Sequence, residues 1–238
     1  MKRQKNLIQV PIISDFWGVA PFERPSAAQI TDTQRRRLML GMTRVVARKG
    51  YAETTIADVL VEVRVSRRTF YQLFGDKEDC FLAAYQFAHN SLVSAIENSQ
   101  RGESDAIRRL EKAHYAYLDV FHRDPDVGAA FLGGIAPAGL RATEQREKAY
   151  QHFAEMHTQL HSQCRQQYPE LPPVPEGAFY ALAGGTNRLV AGEILAGRAA
   201  NIMNLLPTVL YLSYSVYGMS VEAQRIAELT VQIPSVAP

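Results

Sequence analysis

The sequence predicts an all-α fold: a small three-helix head at the N-terminal end, built around a helix-turn-helix, followed by a larger helical body. Three observations carry this reading. Apolar residues recur at helical spacing along most of the chain, and no strand-like alternation competes with them. Helix start and stop residues punctuate those stretches at short intervals. Charge is also divided unevenly. Residues 31–77 hold ten Lys or Arg against five Asp or Glu, whereas residues 78–238 hold twelve against seventeen. A basic segment on an acidic body points to a polyanionic partner for the first part only.

Composition bounds the rest. The 238 residues are 47% hydrophobic, enough for one or two domains with a sizeable core. No apolar run reaches the ~18 residues of a membrane span, so no membrane association is expected. The stretch L-I-Q-V-P-I-I-S near the N-terminus is interrupted by Gln9 and Pro11, with Asp15 just beyond, which argues against a signal peptide. Cys80 and Cys164 are the two cysteines, too few for a disulfide framework, and a reducing cytoplasm is the natural compartment.

Taken in order, residues 1–30 carry Pro11, Pro21 and Pro25 without periodicity and read as a loosely held extension. A helix is predicted from Asp32 to Lys49, with Leu38, Met42, Val45 and Val46 inward and Gly50 just past its end. Arg35, Arg36 and Arg37 then crowd its first turns, facing phosphates or simply solvent. Thr54 is placed to cap the next helix, which turns Ile56, Val59, Leu60 and Val63 to one face. Val65 and Ser66 close a tight turn, and Ser66 caps a short helix from Arg67 to Phe74. Phe70 and Phe74 point inward there. Arg67, Arg68, Thr69, Tyr71 and Gln72 point outward, a surface suited to base edges and phosphates. Asp76 caps a long helix to Gln100 that links head to body. The division is expected at residues 31–78 for the head and 79–238 for the body.

The body reads as helices throughout. They run from Ser104 to Arg123, from Pro125 towards Leu132, from Arg141 to Gln167, from Gly177 to Gly197, from Leu205 to Tyr217 and from Val221 to Leu229. Gly133, Gly134, Pro137 and Gly139 make a loop, Ala199 to Met203 another, and Pro169, Pro172, Pro173 and Pro175 break the chain.

Residues 35–85 resemble the DNA-binding domain of the TetR family of repressors. The matching features are Gly50-Tyr51, Thr54-Thr55-Ile56, Asp58, Val65-Ser66, Thr69-Phe70-Tyr71, Phe74, and Asp76-Lys77-Glu78 leading into Phe81. The resemblance implies that the third helix enters the major groove of double-stranded operator DNA. The implied contact set is Thr54, Thr55, Ser66, Arg67, Arg68, Thr69, Tyr71, Gln72 and Lys77. Arg67 and Arg68 would read guanine, Gln72 a base or phosphate, and Thr69, Tyr71 and Lys77 phosphates. It further implies a homodimeric repressor on a palindrome, released by a small molecule bound in the body. Two features depart from the family pattern. Arg64 stands in the turn where a small residue or glycine is usual, and Met42 and Leu60 replace alanines.

The body's chemistry is less specific. Tyr115, Tyr117, Phe121, Phe131, Phe153 and Tyr180, with His157 and Asn187 as polar anchors, are candidates to line a pocket for a small apolar or aromatic effector. The apolar helices near 177–197 and 205–217 are the expected dimer surface; small residues at Ala183, Gly184, Gly185, Ala191 and Gly192 would admit a close neighbour. His157, His161 and Cys164 share one helix face, but without a fourth ligand they read as a solvated face, and no metal is expected. No phosphate loop, GxSxG elbow, dinucleotide fingerprint or HExxH is present, so neither a cofactor nor catalysis is expected. Other readings are a helical small-molecule binding protein or enzyme with a vestigial helix-turn-helix, and an architectural DNA binder without an inducer.

Overall fold

A computed structural model describes residues 27–133, 138–175 and 177–231. The expected extension over residues 1–26 and the loop residues 134–137 lie outside them. The described residues form ten α-helices and no strand. The head comprises α1 (Ala27–Glu53), α2 (Ile56–Val63) and α3 (Arg67–Leu73). The body begins with α4 (Lys77–Ser99) and α5 (Ala106–Arg123). A single turn, α6 (Pro125–Gly128), runs into a π-helical turn (Ala129–Gly133). Then come α7 (Leu140–Gln167), α8 (Ala178–Leu195), a 3₁₀ segment (Ala199–Leu205), α9 (Leu206–Tyr217) and α10 (Ser220–Val231).

The first helix is longer than the sequence suggested, because residues 27–30 of the expected extension already belong to it. The regular helix breaks at Gly50 as expected, at φ 79° and ψ 159°, and a short helical stretch to Glu53 follows the kink. The body helices match the expected elements to within a few residues. The predicted loop at Ala199 to Met203 is instead a 3₁₀ helix.

Two apolar clusters hold the molecule together. The larger runs from Leu38, Met42 and Phe70 in the head through Phe81 and Tyr85 of α4 to Phe121, Phe131 and Val190 in the body. The smaller joins Leu110, Leu160, Phe179, Tyr214 and Tyr217. In the head, α2 crosses α1 closely because Gly41 has no side chain; a Cβ there would sit 2.5 Å from Val63 Cγ1. The bulk of Met42, fully buried, fills the neighbouring core. At the far end, Gly218 closes α9 in the left-handed region at φ 79° and lies directly against Pro172.

Candidate nucleic-acid interface and effector cavity

The helix-turn-helix is fixed by side-chain caps at each start. Thr55, not Thr54, caps α2. Its hydroxyl accepts the Asp58 N–H at 3.2 Å, and the Thr55 N–H donates back to Asp58 Oδ2 at 2.8 Å. Hydrogen bonds from Lys49 and Thr55 hold the Asp58 carboxyl well below the usual carboxylate range. Thr54 is buried, and its hydroxyl donates to Gly50 O at 2.7 Å, so it locks the chain rather than facing a ligand. Ser66 caps α3 through the Thr69 N–H at 3.1 Å, and its hydroxyl meets Thr69 Oγ1 at 2.8 Å. Phe70 and Phe74 are buried, which leaves Arg67, Arg68, Tyr71 and Gln72 exposed and Thr69 half-buried. The Tyr71 ring is 52% exposed although large and apolar.

Most cations of the head are already engaged. Arg35 donates to Leu73 O and lies over the Phe74 ring, and Arg37 donates to Val63 O. Both therefore satisfy carbonyls at the ends of α3 and α2, instead of facing phosphates or solvent. Arg36 pairs with Asp32, Arg44 and Arg48 with Glu62, and Lys49 with Asp58. Lys77 is drawn inward: its ammonium donates to Tyr51 O at 3.0 Å and Thr54 O at 2.9 Å and lies 4.2 Å from the Tyr51 ring centroid. That arrangement makes Lys77 a clasp between α4 and the α1–α2 corner, where the resemblance implied a phosphate contact. Among the described residues of the head, the cations without a partner are Arg64, Arg67 and Arg68. They sit together in the turn and at the start of α3. Arg64 has φ 52° and is the one non-glycine in the left-handed region among the described residues.

In the body, α4, α5, α7 and α8 enclose two cavities that share Tyr117 and Phe153 as walls. The outer, of about 200 Å³, is lined by Ile96, Met156, Leu160 and Thr186 among others, with Glu97, Gln100, Arg109 and Gln163 contributing polar groups. The inner, of about 40 Å³, lies between Tyr85, Phe121, Phe131 and Asn187. Six of the eight expected lining residues are brought together: Tyr117, Phe121, Phe131, Phe153, His157 and Asn187. Tyr115 and Tyr180 line neither cavity. The Tyr180 hydroxyl instead donates to Glu147 at 2.8 Å on the surface. His114, Thr186 and Arg109 line the outer cavity but were not singled out from sequence; Arg109 and His114 sit on an ordinary amphipathic helix and Thr186 on an apolar one.

The expected solvated face on α7 is a correction. His161 and Cys164 are buried and His157 nearly so, because Phe179 and Tyr217 close over them. His157 Nδ1 meets the Tyr217 hydroxyl at 2.9 Å, and His114 Nε2 meets Ser213 Oγ at 2.7 Å. Burial pushes His114 down to about 3 and His157 to about 4, so both rings are neutral at pH 7. Among the described residues no group of three or more potential ligands could hold a metal. No described helix is long and apolar enough to cross a membrane.

A continuous run of rings joins cavity and head. Phe131, in the π-turn, packs 5.5 Å from both Phe81 and Tyr85, Phe81 packs 4.8 Å from Tyr51, and Tyr51 carries the Lys77 ammonium. Arg141 at the start of α7 adds ion pairs to Glu78 and Asp79 in the first turn of α4.

Residues 43–84 match the family model described as bacterial regulatory proteins, tetR family. The match covers the helix-turn-helix and the start of α4. HbdR, a transcriptional regulator of Aromatoleum sp. strain CIB, is 27% identical to this chain over 114 residues, covering 48% of this chain and 49% of its own. FasR, a transcriptional activator of Mycolicibacterium smegmatis, is 28% identical over 93 residues, covering 39% and 42%. The chain thus spans about half the length of the curated relatives it matches. The fold likeness extends further. The fatty acid degradation regulator FadR of Bacillus halodurans superposes with a TM-score of 0.70 at 12% identity, covering 80% of this chain and 96% of that one. FadR of Bacillus subtilis in complex with stearoyl-CoA gives 0.68 at 14% identity, over 76% and 97%. The all-α, head-and-body fold is therefore shared with these solved structures.

Proposed function

We propose that the chain is a homodimeric, ligand-responsive regulator of transcription that reads a palindromic operator with α3 and is released by a small effector in the body. The observation that carries the DNA reading is the cluster of unpaired guanidiniums at Arg64, Arg67 and Arg68. The other Lys and Arg side chains of the head are bound to carbonyls or carboxylates, so the net basic charge is concentrated at the start of the recognition helix. Arg67 and Arg68 are assigned to base edges, with Thr55, Ser66, Thr69, Tyr71 and Gln72 on bases and phosphates beside them. Thr54 and Lys77 are assigned to holding the head together.

The dimer follows from the DNA geometry and from an open face. One short helix covers a single half-site, and two must sit about 34 Å apart along the duplex. Gly184, Gly185 and Gly192 of α8 have open space above them, and Tyr211 of α9 is exposed beside Ser215. Those two helices are assigned to the two-fold contact. The division of labour is a head over residues 31–78 and an effector-binding, dimerising body from 79 onwards, with α4 spanning the boundary.

The cavities support an apolar or aromatic effector, and the ring path through Phe131 offers a mechanism. An effector that fits better when Phe131 is displaced would shift Phe81 and Tyr51, and with them the spacing of the two heads. Whether binding represses or activates depends on where the operator lies relative to the promoter. A cytoplasmic location and a non-enzymatic role fit this reading. Arg68→Ala is expected to cost about 1–3 kcal/mol of operator affinity and to relax selection at one base pair of each half-site. Fluorescence anisotropy on operator variants at fixed salt measures both; unchanged affinity and unchanged selectivity together would refute the assignment.

A further inference from the structure

We infer that the outer cavity takes a small amphipathic carboxylate, with its head group on Arg109 and its apolar body against Tyr117, Phe153 and Met156. This rests on the proposal that the cavity holds the effector, and it names the effector's chemical class.

The first support is an incompletely used guanidinium. Arg109 lines the cavity from the second turn of α5; its Nη1 donates to Gln163 Oε1 at 2.6 Å, while its Nε is buried with no partner. A buried donor on a charged group left unmet costs on the order of 1–3 kcal/mol or more. A carboxylate meets that group with parallel N–H···O bonds, the geometry a guanidinium favours.

The second support is the charge inventory of the walls. Burial keeps His114 and His157 neutral at pH 7, and Glu97 is exposed at the rim, where solvent screens it. Arg109 is therefore the wall's cation, and among the described residues no carboxylate lies within ion-pair distance of it. An apolar chamber with one unneutralised cation selects an anion with an apolar body.

The third support is independent of Arg109. Helical hydroxyls in this chain commonly donate to the carbonyl four residues back, as Thr43, Thr158, Ser213 and Ser215 do. Thr186 does not. It is 5% exposed, lines the same cavity, and its Oγ1 is buried with no partner. Thr186 adjoins Asn187, which lines the inner cavity with Tyr117. Arg109 and Tyr117 are eight residues apart on α5, about 12 Å at 1.5 Å per residue. The ligand thus has a charged end at Arg109, an apolar span of several carbons or one ring, and room for a polar substituent near Thr186. A cavity of about 200 Å³ is below the roughly 300–1,000 Å³ of drug-sized sites, so a chain as long as stearoyl does not fit it as it stands.

The test uses two matched pairs of probes on the full chain: octanoate with octan-1-ol, and 4-phenylbutyrate with 4-phenylbutan-1-ol. Affinities are measured calorimetrically at pH 7 for the native chain and for Arg109→Gln. At least one acid is expected to bind tenfold or more tightly than its alcohol, and Arg109→Gln is expected to abolish that preference while leaving the alcohol's affinity within twofold. Arg109→Gln should also unfold cooperatively at a temperature no lower than the native chain, because it removes an unmet donor; Arg109→Lys, which keeps the charge, covers the case in which the glutamine variant fails to fold. The inference is overturned if neither acid outbinds its alcohol, or if the preference survives Arg109→Gln. Retained binding to a selected operator in that event would leave the DNA-reading proposal standing, so the two failures are distinguishable.

Discussion

Arg64 offers the cleanest separation of stability from DNA binding. It terminates α2 in the left-handed region, at φ 52° and ψ 50°, with its N–H on Leu60 O. That conformation costs an L-residue about 1–2 kcal/mol. Glycine removes the steric cost but adds about 0.5–1 kcal/mol of backbone entropy on folding. Arg64→Gly should therefore stabilise the chain by a net ~0.5–1 kcal/mol, a rise in Tm of about 1–4 °C for a chain of this size. The same change deletes one of three unpaired guanidiniums beside α3. If that charge neutralises one phosphate per half-site, the slope of log K against log salt falls by about 0.9 per head. Arg64→Ala is the necessary companion: it keeps the strained backbone and removes the charge, so it should lose the DNA term without the gain in Tm. Thermal unfolding and anisotropy titrations at four salt concentrations measure both quantities. A Tm for Arg64→Gly at or below the native value would refute the strain argument. An unchanged salt slope in both variants would remove Arg64 from the interface.

Further expectations follow from the same geometry. Lys77→Met deletes two charge-assisted bonds to Tyr51 O and Thr54 O and should destabilise the chain by roughly 2–4 kcal/mol; urea unfolding measures this, and a salt slope reduced at unchanged stability would return Lys77 to the phosphates. Burial depresses His114 to about 3 and His157 and His89 to about 4. The unfolded chain binds protons at these rings below its ordinary value near 6.5, so stability is full above that pH and is lost as pH falls from there towards 4. Chemical denaturation across pH 4–8 checks the direction, and a flat profile below pH 6.5 would contradict the neutral assignment. Phe131→Leu removes both ring contacts to Phe81 and Tyr85; it should reduce the effector's ability to release operator by threefold or more, read as the ratio of operator affinities with and without saturating effector.

Much of the head was legible because its local rules agree. Ser66 and Asp76 are strong caps, Phe70 and Phe74 fall four apart on a helix, and a non-glycine at Arg64 stands out in a tight turn. Thr54 and Lys77 were misread for a shared reason. Their roles depend on where the chain goes after Gly50: the glycine marks a break, but no local pattern says that the Tyr51 and Thr54 carbonyls beyond it meet the Lys77 ammonium of α4. Arg35 and Arg37 likewise read as facing phosphates or solvent, and only the fold brings the carbonyl ends of α3 and α2 to them. In the body, aromatic spacing picked out four rings of the cavity walls, Tyr117, Phe121, Phe131 and Phe153, since a helix face that lines a cavity is still an apolar face. Spacing could not say that Tyr115 and Tyr180 point elsewhere, nor that Phe179 and Tyr217 cover His161 and Cys164. Arg109 and Thr186 acquire meaning only from bonds they fail to make, which no sequence shows.

The central claim is that two copies of α3 read a two-fold DNA site through the exposed guanidiniums of Arg67 and Arg68. Selection of bound sequences from a random duplex pool tests it most directly. The account predicts a palindrome with half-site centres about one helical turn, or a multiple of it, apart, with guanine at one or more positions of each half-site, and loss of that guanine preference in Arg68→Ala. Enrichment of no two-fold site, or of the same site with the same preference in the Arg67→Ala/Arg68→Ala double variant, would contradict it.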